Sequence, residues 1–171
     1  LVVFDRKSGA RVWERKAALN FRHNNIAVSD DTVYCIDGMT RLRRSGFAAG
    51  GYRLAGEAVL YALDLATGEV RWKEPRGQEV TKTFSFGTPL VLTIDGRTLV
   101  ISQASGMVGA YDPKDGSLVW KVRYGEGYSV VPRPVYANGL IYVATGFDRA
   151  KLLAIRPNGA EGDVTKSHVV F

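Results

Sequence analysis

Apolar residues along this chain fall in short runs of four or five, cut apart at close intervals by turn-forming pairs. Residues 59–63 read Val-Leu-Tyr-Ala-Leu, 88–92 Thr-Pro-Leu-Val-Leu, 98–101 Thr-Leu-Val-Ile, and 140–143 Leu-Ile-Tyr-Val; Asp95-Gly96 and Asn138-Gly139 separate neighbouring runs. Runs of that length bounded by such pairs predict short β-strands joined by tight hairpins. Apolar and polar residues alternate only weakly within them, which suits strands covered on both faces. Three copies of a nine-residue signature organise the runs: Asp5, Gly9 and Trp13; Asp64, Gly68 and Trp72; Asp112, Gly116 and Trp120. The Asp carboxylate can accept from backbone N–H groups just downstream, and the Gly supplies the positive φ of the loop. Each Trp then sits at one fixed strand position, where it can lay its ring against a neighbouring unit while its N–H reaches a backbone acceptor.

Two further strand-like runs precede each later signature, as at 25–28 with 32–35, at 88–92 with 98–101, and at 133–136 with 140–143. Four strands in roughly 45 residues is the arithmetic of a β-propeller blade. A fourth copy is eroded: Leu152-Leu153-Ala154-Ile155 matches the strand before Asp64, but Arg156 stands in place of the Asp, the turn is longer, and Phe171 falls where a Trp is expected. A small residue recurs mid-strand at Ala62, Ala110 and Ala154, which would let blades approach closely.

With Ala62-Leu63-Asp64, Thr67-Gly68 and Trp72 in place, the chain resembles the pyrroloquinoline-quinone-type propeller repeat, and the resemblance runs over nearly its whole length. The third copy departs in carrying Asp115 for Thr; the first carries Val3 for Ala and Ser8 for Thr. The resemblance implies an all-β fold, here a partial β-propeller of about three and a half four-stranded antiparallel blades. The repeats are expected at about 1–16, 24–73, 87–123 and 131–171, forming one arc over 1–171. At roughly 45 residues per blade, 171 residues give under four blades, whereas the family usually closes with seven or eight, so the chain is expected to be part of a larger propeller. The family includes quinone-dependent alcohol and sugar dehydrogenases, the propeller lipoprotein of the outer-membrane barrel-assembly machinery, and non-catalytic relatives. The resemblance therefore implies an extracytoplasmic, periplasmic or outer-membrane-associated place, and a protein partner for the non-catalytic members.

Composition changes this picture little. A net charge of +6 raises nucleic-acid binding, but the basic residues are scattered instead of forming one stripe. Arg15, Lys16, Lys73, Lys121 and Arg123 follow the tryptophans on outer strands, where such charges discourage edge-to-edge pairing. No apolar run approaches the ~20 residues needed to span a bilayer. Cys35 is the only cysteine and aligns with Ile101 and Val143, which predicts a small buried apolar residue.

Chemistry-bearing clusters are sparse. His23 and His168 have no Ser or Cys partner suggested by spacing, and His and Cys are too few for zinc. The resemblance to quinone-dependent dehydrogenases would require an adjacent Cys pair, carboxylate and amide Ca²⁺ ligands and an Asp base; the Cys pair is absent, and Asp5, Asp64 and Asp112 match structural turn positions. No residue is assigned a catalytic, cofactor-binding or metal-ligating role, and no cofactor is expected. One segment breaks the pattern, the insertion 38–53, with Arg41, Arg43, Arg44, Arg53, Phe47 and Tyr52. It can meet an anionic partner surface or glycan, or it is a tolerated excursion kept disordered by its glycines. The sequence thus points to a non-catalytic interaction module, with an arc of a quinone-dependent oxidoreductase and a ligand-sensing propeller domain as alternatives.

Overall fold

The computed structural model describes residues 1–54, 56–76, 80, 82, 85–147 and 150–171, with the side chains of residues 22–24 and 41 outside that description. Its strands form radially successive antiparallel sheets. The first holds β1 (Val2–Phe4) and β2 (Arg11–Glu14). The second is a complete four-stranded meander of β3 (Phe21–Ser29), β4 (Thr32–Asp37), β5 (Val59–Asp64) and β6 (Val70–Pro75). The third runs β7 (Leu90–Ile94), β8 (Arg97–Gln103), β9 (Met107–Tyr111) and β10 (Leu118–Arg123), and the fourth β11 (Val135–Ala137), β12 (Leu140–Ala144) and β13 (Leu152–Ile155). An all-β partial propeller is the architecture observed, with one short helix among the described residues, α1 (Arg41–Ala49), between β4 and β5.

The weak alternation of the apolar runs has a clear cause. Every residue of β4 is buried, and its two faces serve different seams: Val33 and Cys35 pack with Trp13 of the first blade, Tyr34 and Ile36 with Val100 and Tyr111 of the third. A strand walled on both sides has no solvent face for polar residues to mark. Ala62, Ala110 and Ala154 are all fully buried, where larger side chains would hold the blades apart.

The signature turns are built alike. In each, the Gly N–H donates to the Asp carbonyl at 2.8–2.9 Å, and glycine φ is +70°, +74° and +79°. Asp5 Oδ1 accepts from the N–H of Lys7 and Ser8, Asp64 Oδ1 from Ala66 and Thr67, and Asp112 Oδ1 from Lys114. The departures from the repeat pattern are chemically conservative. Thr67 Oγ1 accepts from Glu69 N–H and Ser8 Oγ from Ala10 N–H, and Asp115 Oδ1 takes the same bond from Ser117 at 2.8 Å.

Each Trp is seated on the turn of the next blade. Trp13 Nε1 donates to the Leu65 carbonyl at 2.8 Å and Trp72 Nε1 to the Pro113 carbonyl at 2.7 Å. Both acceptors directly follow the signature Asp, so the two seams are copies of one contact. Trp120 is fully buried in the third seam, among Ile141, Val143, Leu153 and Ile155, but its Nε1 has no partner among the described residues. The reason lies in the eroded fourth turn.

There the four-stranded antiparallel pattern gains an addition. The Arg156 N–H still bonds across to the His168 carbonyl, but the enlarged turn folds back and lays β14 (Gly162–Asp163) parallel against β10, pairing Trp120 with Gly162 and Lys121 with Asp163. The third blade therefore has five strands. Ala160 and Val164 of the same turn are buried against Trp120's cluster, replacing the Pro113-type acceptor with apolar packing. Val170 and Phe171 exchange backbone bonds with Ala154, so Phe171 does take the Trp place in the ladder; its ring leans on Tyr142, with centroids 6.5 Å apart.

The basic residues of the last strands are only partly edge guards. Arg15 lies over the Tyr61 ring and donates to the Gly68 carbonyl across a seam, and Arg123 Nε pairs with Asp163 Oδ2 of β14 at 3.1 Å, tying the added strand to β10. Arg71 joins two turns, with Nη2 at 2.7 Å from both Asp31 and Asp64. This guanidinium holds the Asp31 carboxyl down at about 2 and lowers that of Asp64. Carboxyls lowered in the folded state contribute stability above the ordinary carboxylate range and lose it as pH falls toward 2. Urea midpoints measured from about pH 5 to about pH 2 are expected to fall more for the native chain than for Arg71→Gln, which lacks the pairing.

Candidate functional site

Strand direction divides the propeller into two faces. The hairpin turns at 30–31 and 95–96 and the signature turns share one face, as the Leu65 N–H bonded to the Asp31 carbonyl and Asn158 bonded to Asp95 demonstrate. The opposite face carries the links between second and third strands and between blades. These links are longer and more varied, and they carry the chain's exceptional residues.

Buried polar groups build this connection face. Asp37, at the end of β4 and 3% exposed, accepts from the N–H groups of Ala18, Leu19 and Asn20 at 2.6–3.0 Å, holding the link between the first two blades. Arg76 follows β6 and is also 3% exposed; its Nη2 donates to Ser102 Oγ at 3.2 Å and to the Gln103 carbonyl at 2.5 Å. Gln103 Nε2 continues the chain of bonds to the Ala144 carbonyl in the fourth blade, and Ser85 Oγ donates to the Gln103 carbonyl at 2.7 Å. Tyr124 closes the group by donating to the Ala104 carbonyl. Burial pushes the Tyr124 hydroxyl up to about 12 and lowers the Arg76 pKa. Among the described residues no carboxylate pairs with Arg76. These side chains are engaged in holding strand ends and links in register.

The insertion 38–53 stands beside this framework and is not disordered by its glycines. Thr40 caps α1, with its Oγ1 accepting from Arg43 N–H at 3.2 Å, and Arg, Leu and Ala are good helix formers. Gly50 and Gly51 end the helix instead of dissolving it, and Tyr52 N–H folds back onto the Phe47 carbonyl at 2.9 Å. Met39 is buried at the root, whereas Leu42 is 85% and Tyr52 67% exposed. Phe47 meets Tyr52 edge-on, with centroids 6.3 Å apart. Arg43 is exposed and Arg44 half-buried; the side chain of Arg41 lies outside the described residues. The first turn of α1 holds no acidic residue, so its arginines oppose the helix dipole.

The remaining candidates are dispersed. Cys35 is fully buried at mid-strand, and burial, with a smaller push from Asp37, raises its thiol to about 12. A thiol-specific chromogenic reagent is expected to leave the native protein untouched at neutral pH and to titrate one thiol after unfolding. His168 Nδ1 lies 2.8 Å from Ser167 Oγ on the last segment, while the side chain of His23 lies outside the described residues. A cleft of about 130 Å³ beside the third blade is lined by Val80, Ser105, Met107, Lys121 and Arg123. Among the described residues no three His, Cys, Asp or Glu side chains converge as a metal-ligand set. Sequence reasoning found the insertion but missed Asp37, Arg76 and Gln103. Each is an isolated polar residue at a strand end, without a motif around it, and only the arrival of distant links gives it a role.

Known proteins place this framework in context. A curated relative, the 1-butanol dehydrogenase (quinone) of Thauera butanivorans, is 30% identical over 176 residues, covering 96% of this chain and 25% of its own length. BamB from Moraxella catarrhalis superposes with a TM-score of 0.58 at 19% identity, over 91% of this chain and 43% of that one. Quinohemoprotein alcohol dehydrogenase from Comamonas testosteroni gives 0.60 at 17% identity, over 92% and 30%. At such identities the two structures speak for the fold alone, and the chain spans a quarter to under half of these proteins' lengths. No helix among the described residues is long and apolar enough to cross a membrane. The family model described as outer membrane protein assembly factor BamB matches residues 1–159, and the chain belongs to that family of PQQ-like propeller repeats.

Proposed function

We propose that this chain is an arc of a larger, seven- or eight-bladed propeller that serves as a non-catalytic scaffold for protein interaction in the bacterial cell envelope. The observation that carries this reading is how the polar side chains of the connection face are used. Asp37, Arg76, Gln103, Ser85 and Tyr124 all hold backbone in place, and α1 is presented outward from that frame. A stiff wheel with one projecting element suits recognition, because little order remains to be imposed on binding. The family description as an outer membrane assembly factor supports both an envelope location and protein partners.

The 30% identity to a quinone-dependent 1-butanol dehydrogenase favours a second reading, an arc of such an enzyme. The residues here do not fit a seat for the quinone: the single cysteine is buried at mid-strand, and Asp5, Asp64 and Asp112 are occupied by turn N–H groups. Titrating the full-length parent with pyrroloquinoline quinone, Ca²⁺ and 1-butanol separates the readings. The scaffold reading expects no dye reduction; alcohol-dependent reduction would establish the enzyme instead.

A further inference from the structure

Resting on the scaffold reading, we infer that α1 with the following Tyr52–Arg53 is a docking element for an acidic segment of a partner protein. Four observations converge on it. From 38 to 56 the chain carries four arginines and no acidic residue, and Asp37 at its root is turned inward, saturated by three backbone N–H groups. Nothing within the insertion therefore neutralises its charge, so the element is electrostatically complementary to carboxylates.

The described residues leave α1 mostly open to solvent. Of residues 42–50 only Arg44 is half-buried and the rest are exposed, with Leu42 at 85% and Phe47 at 38%. A nine-residue helix is too short to be stable by propensity alone. Its first turn further places positive side chains at the positive end of the dipole, an arrangement that bound carboxylates would relieve. Exposed Leu, Phe and Tyr among arginines give the composition of an interaction surface, with apolar and aromatic anchors set among charge that steers the approach.

The geometry favours a peptide over a membrane. Leu42 and Phe47 are five residues apart, which at ~100° per residue separates them by about 140° around the helix. An interfacial helix needs its apolar side chains on one face to sink into lipid. A polypeptide can instead wrap the helix, setting apolar side chains beside Leu42 and Phe47 and carboxylates against Arg43, Arg44 and Arg53. Arginine suits that role through bidentate pairing with carboxylates.

The test uses the full chain, a fluorescein-labelled peptide of Asp, Glu and Leu, and vesicles of phosphatidylglycerol. Peptide binding that weakens as salt is raised, and that falls at least ~tenfold in Arg43→Glu/Arg44→Glu and in Leu42→Asp, supports the proposal. The substituted residues are exposed or half-buried, so unchanged thermal melts confirm that loss of binding is not loss of fold. Equal affinity in the variants, binding to the vesicles alone, or no peptide binding each overturns it. These outcomes are separable from the scaffold reading, which stands or falls on alcohol-dependent dye reduction by the parent whatever α1 binds.

Discussion

Trp120→Ala is expected to be the most damaging single substitution in the chain, lowering unfolding free energy by about 3–5 kcal/mol. The indole is fully buried at the centre of the largest apolar cluster, touching its own blade, the fourth blade and the folded-back turn at once. Its removal opens a cavity at a seam where three elements meet, and rigid sheets cannot collapse to fill it. Trp120→Phe sharpens the test. Among the described residues the Trp120 N–H has no acceptor, so the phenyl ring forfeits only size, whereas Trp72→Phe also leaves the Pro113 carbonyl without its donor. Urea denaturation of the four proteins reads the difference. Unchanged midpoints for Trp120→Ala would refute the docking role assigned to the indoles.

The second large effect separates three glycines that look equivalent. Gly9, Gly68 and Gly116 all adopt positive φ, so Ala at any of them incurs about 1–2 kcal/mol of backbone strain. A Cβ at Gly9 would meet nothing within 4 Å, while at Gly68 it would stand 2.6 Å from Trp13 Cδ2 and at Gly116 2.6 Å from Trp72 Cε3. Those contacts are with rings locked in a seam, so overpacking adds about 1–3 kcal/mol at the second and third positions only. Melting curves of the three Gly→Ala variants are expected to rank Gly9 mildest by a clear margin. Equal losses would mean that the seams yield freely and that φ alone makes the glycine necessary.

These two results also mark where the sequence stops being informative. The Asp-to-Gly turns were legible in full, including the interchange of Thr67, Ser8 and Asp115, because every bond involved lies within a few residues. Strand positions followed from the runs, and the buried state of Cys35 from its alignment with Ile101 and Val143. The insertion was visible as a break in the period, but its glycines suggested disorder. The Thr40 cap and the placing of Gly50 and Gly51 at its end decided for a helix. The eroded fourth turn could be recognised as altered, yet nothing local foretold that it would add a parallel strand to the preceding blade.

By itself, then, the sequence determined the blade plan: how many signatures there are, how each turn closes, and which strand bears the indole. Those features rest on hydrogen bonds and φ preferences spanning nine residues, so the residue types nearly specify them. Only the tertiary structure decided which turn receives each tryptophan, which glycine carries a ring against its Cα, and what Asp37, Arg76 and Gln103 hold. The Trp13 and Trp72 bonds join residues 52 and 41 positions apart. Such contacts form because rigid neighbouring blades bring their faces together, and no local pattern encodes the partner. The outward presentation of α1 has the same origin: a short helix is exposed or covered according to what the surrounding blades offer it, and here α1 is exposed apart from the half-buried Arg44, with Met39 buried at its root.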